Sequence, residues 1–438
     1  MSIVSKLTIG YALVPGFRAA DIIETETILG SFPTSKVYLA SRKTGLVKGK
    51  SDFPLIANTT FKTCPKLDVL IIGEIPDDRL YDRELLDFIE AKAKDAKYVL
   101  AISNGVLALA KLGLLRGKKA TTDNWHLDAL HDYGVIPEPK RKAVIDGKFY
   151  TAGPSTGMME AGFELLKKIR GKAIASLFEL TLEYDPVCRY GEAPAKGTII
   201  EKPDFPGQRQ PLNVVVFTPS GLYIPDIMGA VDVFGTIPDA KIHYVWKEEG
   251  EVAGLVGPKM VADTSFKDCP QADVFIVGAS LPGYCSDPET LAFVADQSAK
   301  AKSVISVCAG VLLVGATGQL KNRTAATNFH MLKYLPVVGA RISEKEVVMD
   351  GKYITAGPAV GSYEAGLLAV EQLLGREVAR HIEQTELEFD PNPVLNMGSP
   401  AKAGKLRTAI SKALIAPINP FYKSATKKGL RLSESFYH

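Results

Sequence analysis

Phe61-Lys62-Thr63-Cys64-Pro65, followed by Asp68-Val69-Leu70-Ile71-Ile72-Gly73, returns 205 residues later as Phe266-Lys267-Asp268-Cys269-Pro270 and Asp273-Val274-Phe275-Ile276-Val277-Gly278. Each block is a turn followed by a short apolar run that ends in glycine, the pattern of a buried strand. Working outward, Asp146-Gly147-Lys148 through Thr151-Ala152-Gly153-Pro154 matches Asp350-Gly351-Lys352 through Thr355-Ala356-Gly357-Pro358, and Leu182-Glu183-Tyr184-Asp185-Pro186 matches Leu387-Glu388-Phe389-Asp390-Pro391. A period this long exceeds the ~20–50-residue unit of a solenoid and means a duplicated whole domain. The expected organisation is one domain over 1–190, a linker over 191–211 marked by Pro194, Pro203, Pro206 and Pro211, a second domain over 212–400, and a basic C-terminal tail over 401–438.

In the second copy the runs Val214–Thr218, Lys241–Trp246, Val274–Gly278 and Ser303–Val307 alternate with helical patterns over Glu289–Lys302 and Tyr363–Leu374. Continuous apolar strands between amphipathic helices predict an α/β fold, a mostly parallel sheet with helices on both faces. Ligands in such sheets bind beyond the carboxyl ends of the strands, so the residues after each run decide function.

Composition agrees. The 438 residues are 46% hydrophobic and 23% charged, which excludes disorder and fibrous architectures. A net charge of +3 offers no strong field for nucleic acid. The positive excess is local, with eight basic residues in the tail against the single acid Glu434. The tail reads either as a free arm or as an element packed on the body. Met1–Ala20 reads as a first strand and not a leader, because Pro15 and Gly16 interrupt it and its counterpart recurs at Val214–Pro225. The longest apolar runs fall short of the ~18 residues of a membrane span, so a soluble protein is expected. Five scattered cysteines without a CxxC pair fit a reducing cytosol and predict neither a disulfide framework nor a metal site.

Cys308 ends the run Val304-Ile305-Ser306-Val307 and precedes Ala309-Gly310-Val311-Leu312-Leu313, a small-residue turn opening into a helix. A thiol there would face backbone N–H groups, Ala309 included, and a helix N-terminus, both of which favour thiolate. The spacing alone fits a buried core cysteine equally well. Asp226 follows the first strand and either pairs with the sulfur or caps a helix. Gly278-Ala279 follows the third run, where backbone N–H groups could meet developing negative charge. Tyr284 either touches a ligand or is a loop aromatic. In the first copy Ser103 takes the elbow position and Asp21 keeps the acid; Asp123 and His126 lie where a base would be needed, and Glu74 would bring charge to the oxyanion position.

Ser306-Val307-Cys308-Ala309-Gly310 with Arg323-Thr324-Ala325-Ala326-Thr327 resembles the elbow and following strand of the ThiJ/PfpI superfamily. Leu387 through Pro393, running to Gly398-Ser399-Pro400, is similar to the ending of its isonitrile hydratase branch. The resemblance covers most of 7–190 and 212–400. It implies two tandem flavodoxin-like domains, Cys308 as nucleophile, Asp226 as its acid, Gly278 and Ala279 as the oxyanion site, and no cofactor or metal. It further implies that the two repeats form an intramolecular pseudo-dimer in place of a homodimer, with further oligomerisation left open. Two positions depart from the pattern. Ala309 replaces the threonine usual in isonitrile hydratases, and Asn328 stands where many members carry histidine, with His330 two residues on. Residues two apart share a strand face, so His330 either approaches the site or is a solvated loop histidine.

The implied activity is hydration of a small electrophile, an isonitrile to its N-substituted formamide. The same equipment suits a 2-oxoaldehyde, as in glutathione-independent glyoxalases, or a non-enzymatic redox or binding role through oxidation of Cys308. A transcription regulator would need a DNA-binding domain, for which the residues after Pro400 are too few.

Overall fold

The apolar runs Val69–Ile72 and Val274–Val277 are buried at every residue, and each lies inside a seven-stranded sheet. The computed structural model describes residues 6–191, 194, 203 and 211–434, so most of the 191–211 linker lies outside the described residues. The first sheet contains β1 (Leu7–Ala12), β2 (Ser35–Ser41), β3 (Thr59–Thr60), β4 (Val69–Ile72), β5 (Tyr98–Ile102), β6 (Ala143–Asp146) and β7 (Phe149–Ala152), in the order β6-β7-β5-β4-β1-β2-β3. The second contains β8 (Leu212–Phe217), β9 (Ala240–Trp246), β10 (Thr264–Ser265), β11 (Val274–Val277), β12 (Ser303–Val307), β13 (Val347–Asp350) and β14 (Tyr353–Ala356), in the order β13-β14-β12-β11-β8-β9-β10. The two orders are the same. All pairings are parallel except β6 with β7 and β13 with β14. Without the short edge strand and the antiparallel one, each sheet runs 2-1-3-4-5, the flavodoxin-like order, whose switch point in the second sheet falls between β8 and β11.

Corresponding helices begin alike. Asp82 accepts a hydrogen bond from Leu85 N–H at the start of Arg83–Asp95, and Asp287 accepts one from Thr290 N–H at the start of Pro288–Lys300. A side-chain acceptor there satisfies one of the open N–H groups of a first helical turn. Helix Pro225–Gly235 crosses helix Gly361–Leu374 closely at Gly229, whose N–H donates to Ser362 Oγ at 2.8 Å. Among the described residues no helix is long and apolar enough to cross a membrane.

The compact units are not the contiguous halves expected from the repeat. One gathers Met1–Ala175, Val187–Lys202 and Arg380–Leu395; the other gathers Ser176–Pro186, Pro203–Ala379 and Asn396–His438. The segment that ends the first repeat therefore belongs to the second unit. There Glu179 accepts the Met397 N–H at 2.7 Å, and Tyr184 is 2% exposed. Main-chain closeness explains the fit: a side chain at Gly398 would collide with the Tyr184 carbonyl. The basic tail is likewise part of this unit, as helices Pro400–Ile415 and Asn419–Ser433. The second of these buries Tyr422 and Thr426 and turns its lysines outward. Of the two readings of the tail, the packed one holds.

Candidate active site

Four strand ends of the second sheet build the site. β12 runs into Cys308, whose N–H donates to Ala356 O at 2.9 Å and whose φ of 57° places it in the left-handed region. A non-glycine residue there is strained, and such strain gathers at functional positions. Cys308 as a residue is half-buried whereas the preceding strand is buried throughout, and the thiol itself is enclosed. Two residues on, Gly310 is required by space, since a Cβ would stand 2.7 Å from the Gly278 carbonyl oxygen.

Asp226 enters from the first turn of helix Pro225–Gly235 and is fully buried. Its Oδ1 accepts the Ala359 N–H at 2.9 Å and its Oδ2 accepts the Ala279 N–H at 3.0 Å. Burial is the larger influence and pushes the carboxyl up to about 7, against the two N–H groups and a hydrogen bond from Cys308. The expected pair is thus assembled, but the expected role of Ala279 is corrected. Its N–H is already donated to the Asp226 carboxylate, while Gly278 lies close against the Asp226 side chain. Ala359, at φ 47°, is a site residue that the sequence reading missed.

Around the sulfur, the Ala309 N–H and the Asn328 amide both favour thiolate, with Asn328 Nδ2 at 3.0 Å from Sγ. Asn328 Oδ1 accepts the N–H groups of His330 and Met331, each at 3.1 Å, which directs the nitrogen to the sulfur. These donors do not win. Burial first, then the charges of Asp226 and Glu183, push the Cys308 thiol well above its ordinary range. The expected lowering is corrected for two physical reasons: the helix behind the elbow is only seven residues long, and the neighbours are acids.

His330 points elsewhere. Its ring lies against Phe329, Nε2 is 3.3 Å from Ser411 Oγ, and burial holds it down to about 4. Tyr284 packs edge-on against Trp246 and donates to Ser220 O at 3.0 Å, a loop brace. Cys285 is buried with its thiol pushed up to about 12. Glu183, the second missed residue, is buried in this unit with its Oε1 accepting the Phe329 N–H at 3.1 Å. Its only sequence signal was the Leu-Glu-aromatic-Asp-Pro match, which carries no information about which sheet the segment joins.

The first unit keeps the frame without the thiol. Ser103 has φ 48° and a buried hydroxyl with no hydrogen-bond partner among the described residues, while Asp21 Oδ2 accepts the Glu74 N–H at 2.8 Å. Asp123 Oδ1 accepts from the N–H groups of Trp125 and His126 and lies 2.7 Å from His126 Nδ1. The Glu74 carboxylate pairs with Lys50. In neither unit do the described residues contain a group of three His, Cys, Asp or Glu side chains placed to hold a metal ion.

Comparison with known proteins matches both repeats. The model of the DJ-1/PfpI family matches residues 11–168 and 213–372. An isonitrile hydratase of Pseudomonas putida is 34% identical over 211 residues, covering 44% of this chain and 92% of its own. Protein DJ-1 homolog A of Arabidopsis thaliana is 28% identical over 144 residues, 31% of this chain and 36% of its own. A solved ThiJ/PfpI family protein from Pseudomonas syringae aligns at 30% identity with a TM-score of 0.47, covering 49% of this chain and 90% of that one.

Proposed function

This chain belongs to the DJ-1/PfpI family, and on that premise we propose that its second unit is a cofactor-independent cysteine hydratase acting on a small electrophile, an isonitrile before others. The observation that carries the reading is the pairing of the half-buried elbow cysteine with a fully buried carboxyl poised at about 7. A raised thiol cannot supply much free thiolate at neutral pH, so attack requires a base in contact, and Asp226 is that base. As the Cys308 sulfur bonds to the terminal carbon of the isonitrile, its proton passes to Asp226 and from there to the same carbon. The product is a thioimidate, R–N=CH–S–Cys308. Water then adds to that carbon; its first proton is taken by Asp226 and delivered to the imine nitrogen, and as the C–S bond breaks the hydroxyl proton of the adduct passes through Asp226 to the departing sulfur, releasing the N-substituted formamide. The net change is addition of one water. Free cysteines support placing this chemistry in the cytosol.

The raised thiol weighs against the redox-sensing alternative, because peroxide oxidation starts from thiolate. The test incubates wild type and Cys308→Ala with an aryl isonitrile, an alkyl isonitrile and methylglyoxal, and follows products by mass spectrometry. Formamide from the wild type alone is the expected result. Lactate alone would transfer the reading to a glyoxalase. Equal conversion by both proteins would overturn the assignment of Cys308.

A further inference from the structure

Glu183 combines three features that a helix-ending surface residue has no need of. It is only 7% exposed, it sits at φ 48° in the left-handed region, and its carboxyl faces the loop that serves the nucleophile. Oε1 accepts the Phe329 N–H at 3.1 Å, and Oε2 lies 3.5 Å from where a Cβ would stand on Gly357, two residues before Ala359. Phe329 directly follows Asn328, whose Nδ2 donates to Cys308 Sγ. The 328–331 turn is thus tied within itself by Asn328 Oδ1 and from outside by Glu183. Strain at Cys308, Ala359 and Glu183 is concentrated in one small region.

We infer that Glu183 is a positioning residue for Cys308: by holding the Phe329 N–H it fixes the 328–331 turn and so keeps the Asn328 amide on the sulfur. The inference deepens the reading of the Cys308 site and rests on it. It also means that the second site is completed by the segment that ends the first repeat. Burial pushes the Glu183 carboxyl well above the ordinary range, and the acids that face it, Asp226 and Glu346, reinforce this. Glu346 is itself pushed up to about 8, by burial and then by Asp185 and Glu364, with Lys402 opposing. What Glu183 supplies to the turn is a side-chain oxygen that accepts one backbone hydrogen bond. Glutamine can do the same.

The test uses the full chain and needs no substrate. The rate of Cys308 alkylation by iodoacetamide is measured from pH 6 to 10, with peptide mapping and the melting temperature alongside, for Glu183→Ala, Glu183→Gln, Asn328→Ala and the Glu183→Ala/Asn328→Ala double variant. Loss of the Asn328 donor is expected to slow alkylation about tenfold at a given pH by moving the thiol upward. Glu183→Ala should match it, the double variant should be no slower than either single one, and Glu183→Gln should stay within about twofold of wild type. Wild-type reactivity in Glu183→Ala, multiplication of the two effects, or a Gln variant as slow as Ala would each overturn the inference. If Glu183→Ala does not fold, Glu183→Asp withdraws the carboxyl by one methylene and should show the same loss. Failure to convert isonitriles would defeat the proposed reaction and leave these rates untouched, so the two failures are distinguishable.

Discussion

Asp226 offers the most demanding test of the site's electrostatics, because its carboxyl is held at about 7 in the fold against 3.8 ordinarily. Below the ordinary value both the folded and unfolded chains carry the proton, and the group contributes nothing to stability. Between the two values the folded chain keeps a proton that the unfolded chain has lost, so stability falls as pH rises. Above 7 both are ionised and the loss is complete. Three pH units at about 1.4 kcal/mol each give a loss on the order of 4 kcal/mol between pH 4 and pH 8. Asp226→Asn removes this dependence. It also introduces a constant cost of about 1–3 kcal/mol, because the amide has a single accepting oxygen and its nitrogen, a donor, leaves one of Ala279 N–H and Ala359 N–H without an acceptor. The offset cancels when the variant is compared with wild type across pH. Differential scanning calorimetry should therefore find Asp226→Asn gaining on wild type as pH rises from 4 to 8, by on the order of 10 °C for a cooperative unit of this size. Parallel melting curves across that range would refute the reasoning, whatever their separation.

Because the Cys308 thiol is raised, its alkylation should climb about tenfold per pH unit through pH 8; a plateau below pH 7 would show a thiolate already formed. His330→Phe should leave turnover and its pH profile unchanged, since the ring faces Ser411 and Phe329, and a lost acidic limb in the profile would return His330 to the site. Gly310→Ala should abolish turnover and destabilise the protein by about 2 kcal/mol or more, because the added carbon meets backbone oxygens that cannot retreat; wild-type activity would disprove a tight elbow. In the first unit, Ser103→Cys alone should alkylate at least about tenfold more slowly than Cys308, since Asp123 presents a carboxylate where Asn328 presents a donor. Adding Asp123→Asn should recover the rate, because Asp123 already accepts the same two backbone hydrogen bonds that orient Asn328.

The repeat, the parallel sheet and the Cys308–Asp226 pair were legible because each is encoded locally: an apolar run, the residue that ends it, and a register that sets strand ends side by side. The direction of the thiol shift was not legible. A helix N-terminus can be read from Ala309-Gly310-Val311, but its shortness and the acids around the sulfur depend on chain segments far away in sequence. The same distance hides Ala279's true partner: a backbone N–H at a strand end is visible in the sequence, whereas the carboxylate that claims it is not. His330 was ambiguous for a related reason. Its spacing from Asn328 fits a strand, yet Asn328 Oδ1 curls 328–331 into a turn and sends the ring toward the helix Pro400–Ile415.

The placement of the two repeat endings was the least legible feature, and it bears most on function. A contiguous reading assigns Leu182–Pro186 to the first domain, where Glu183 would be one more acid after a helix. In the fold that segment lies in the second unit, and Leu387–Pro391 lies in the first, where Glu388 Oε1 accepts the Asn124 N–H at 2.6 Å as its own version of the Glu183–Phe329 bond. Each elbow is thus framed by a carboxyl from the other repeat's ending. Ser103 keeps a left-handed backbone that costs on the order of 1–2 kcal/mol without a thiol to present. The first repeat can lose its nucleophile and still be needed, because what it contributes to Cys308 is the five residues around Glu183, which a chain of the second repeat alone would lack.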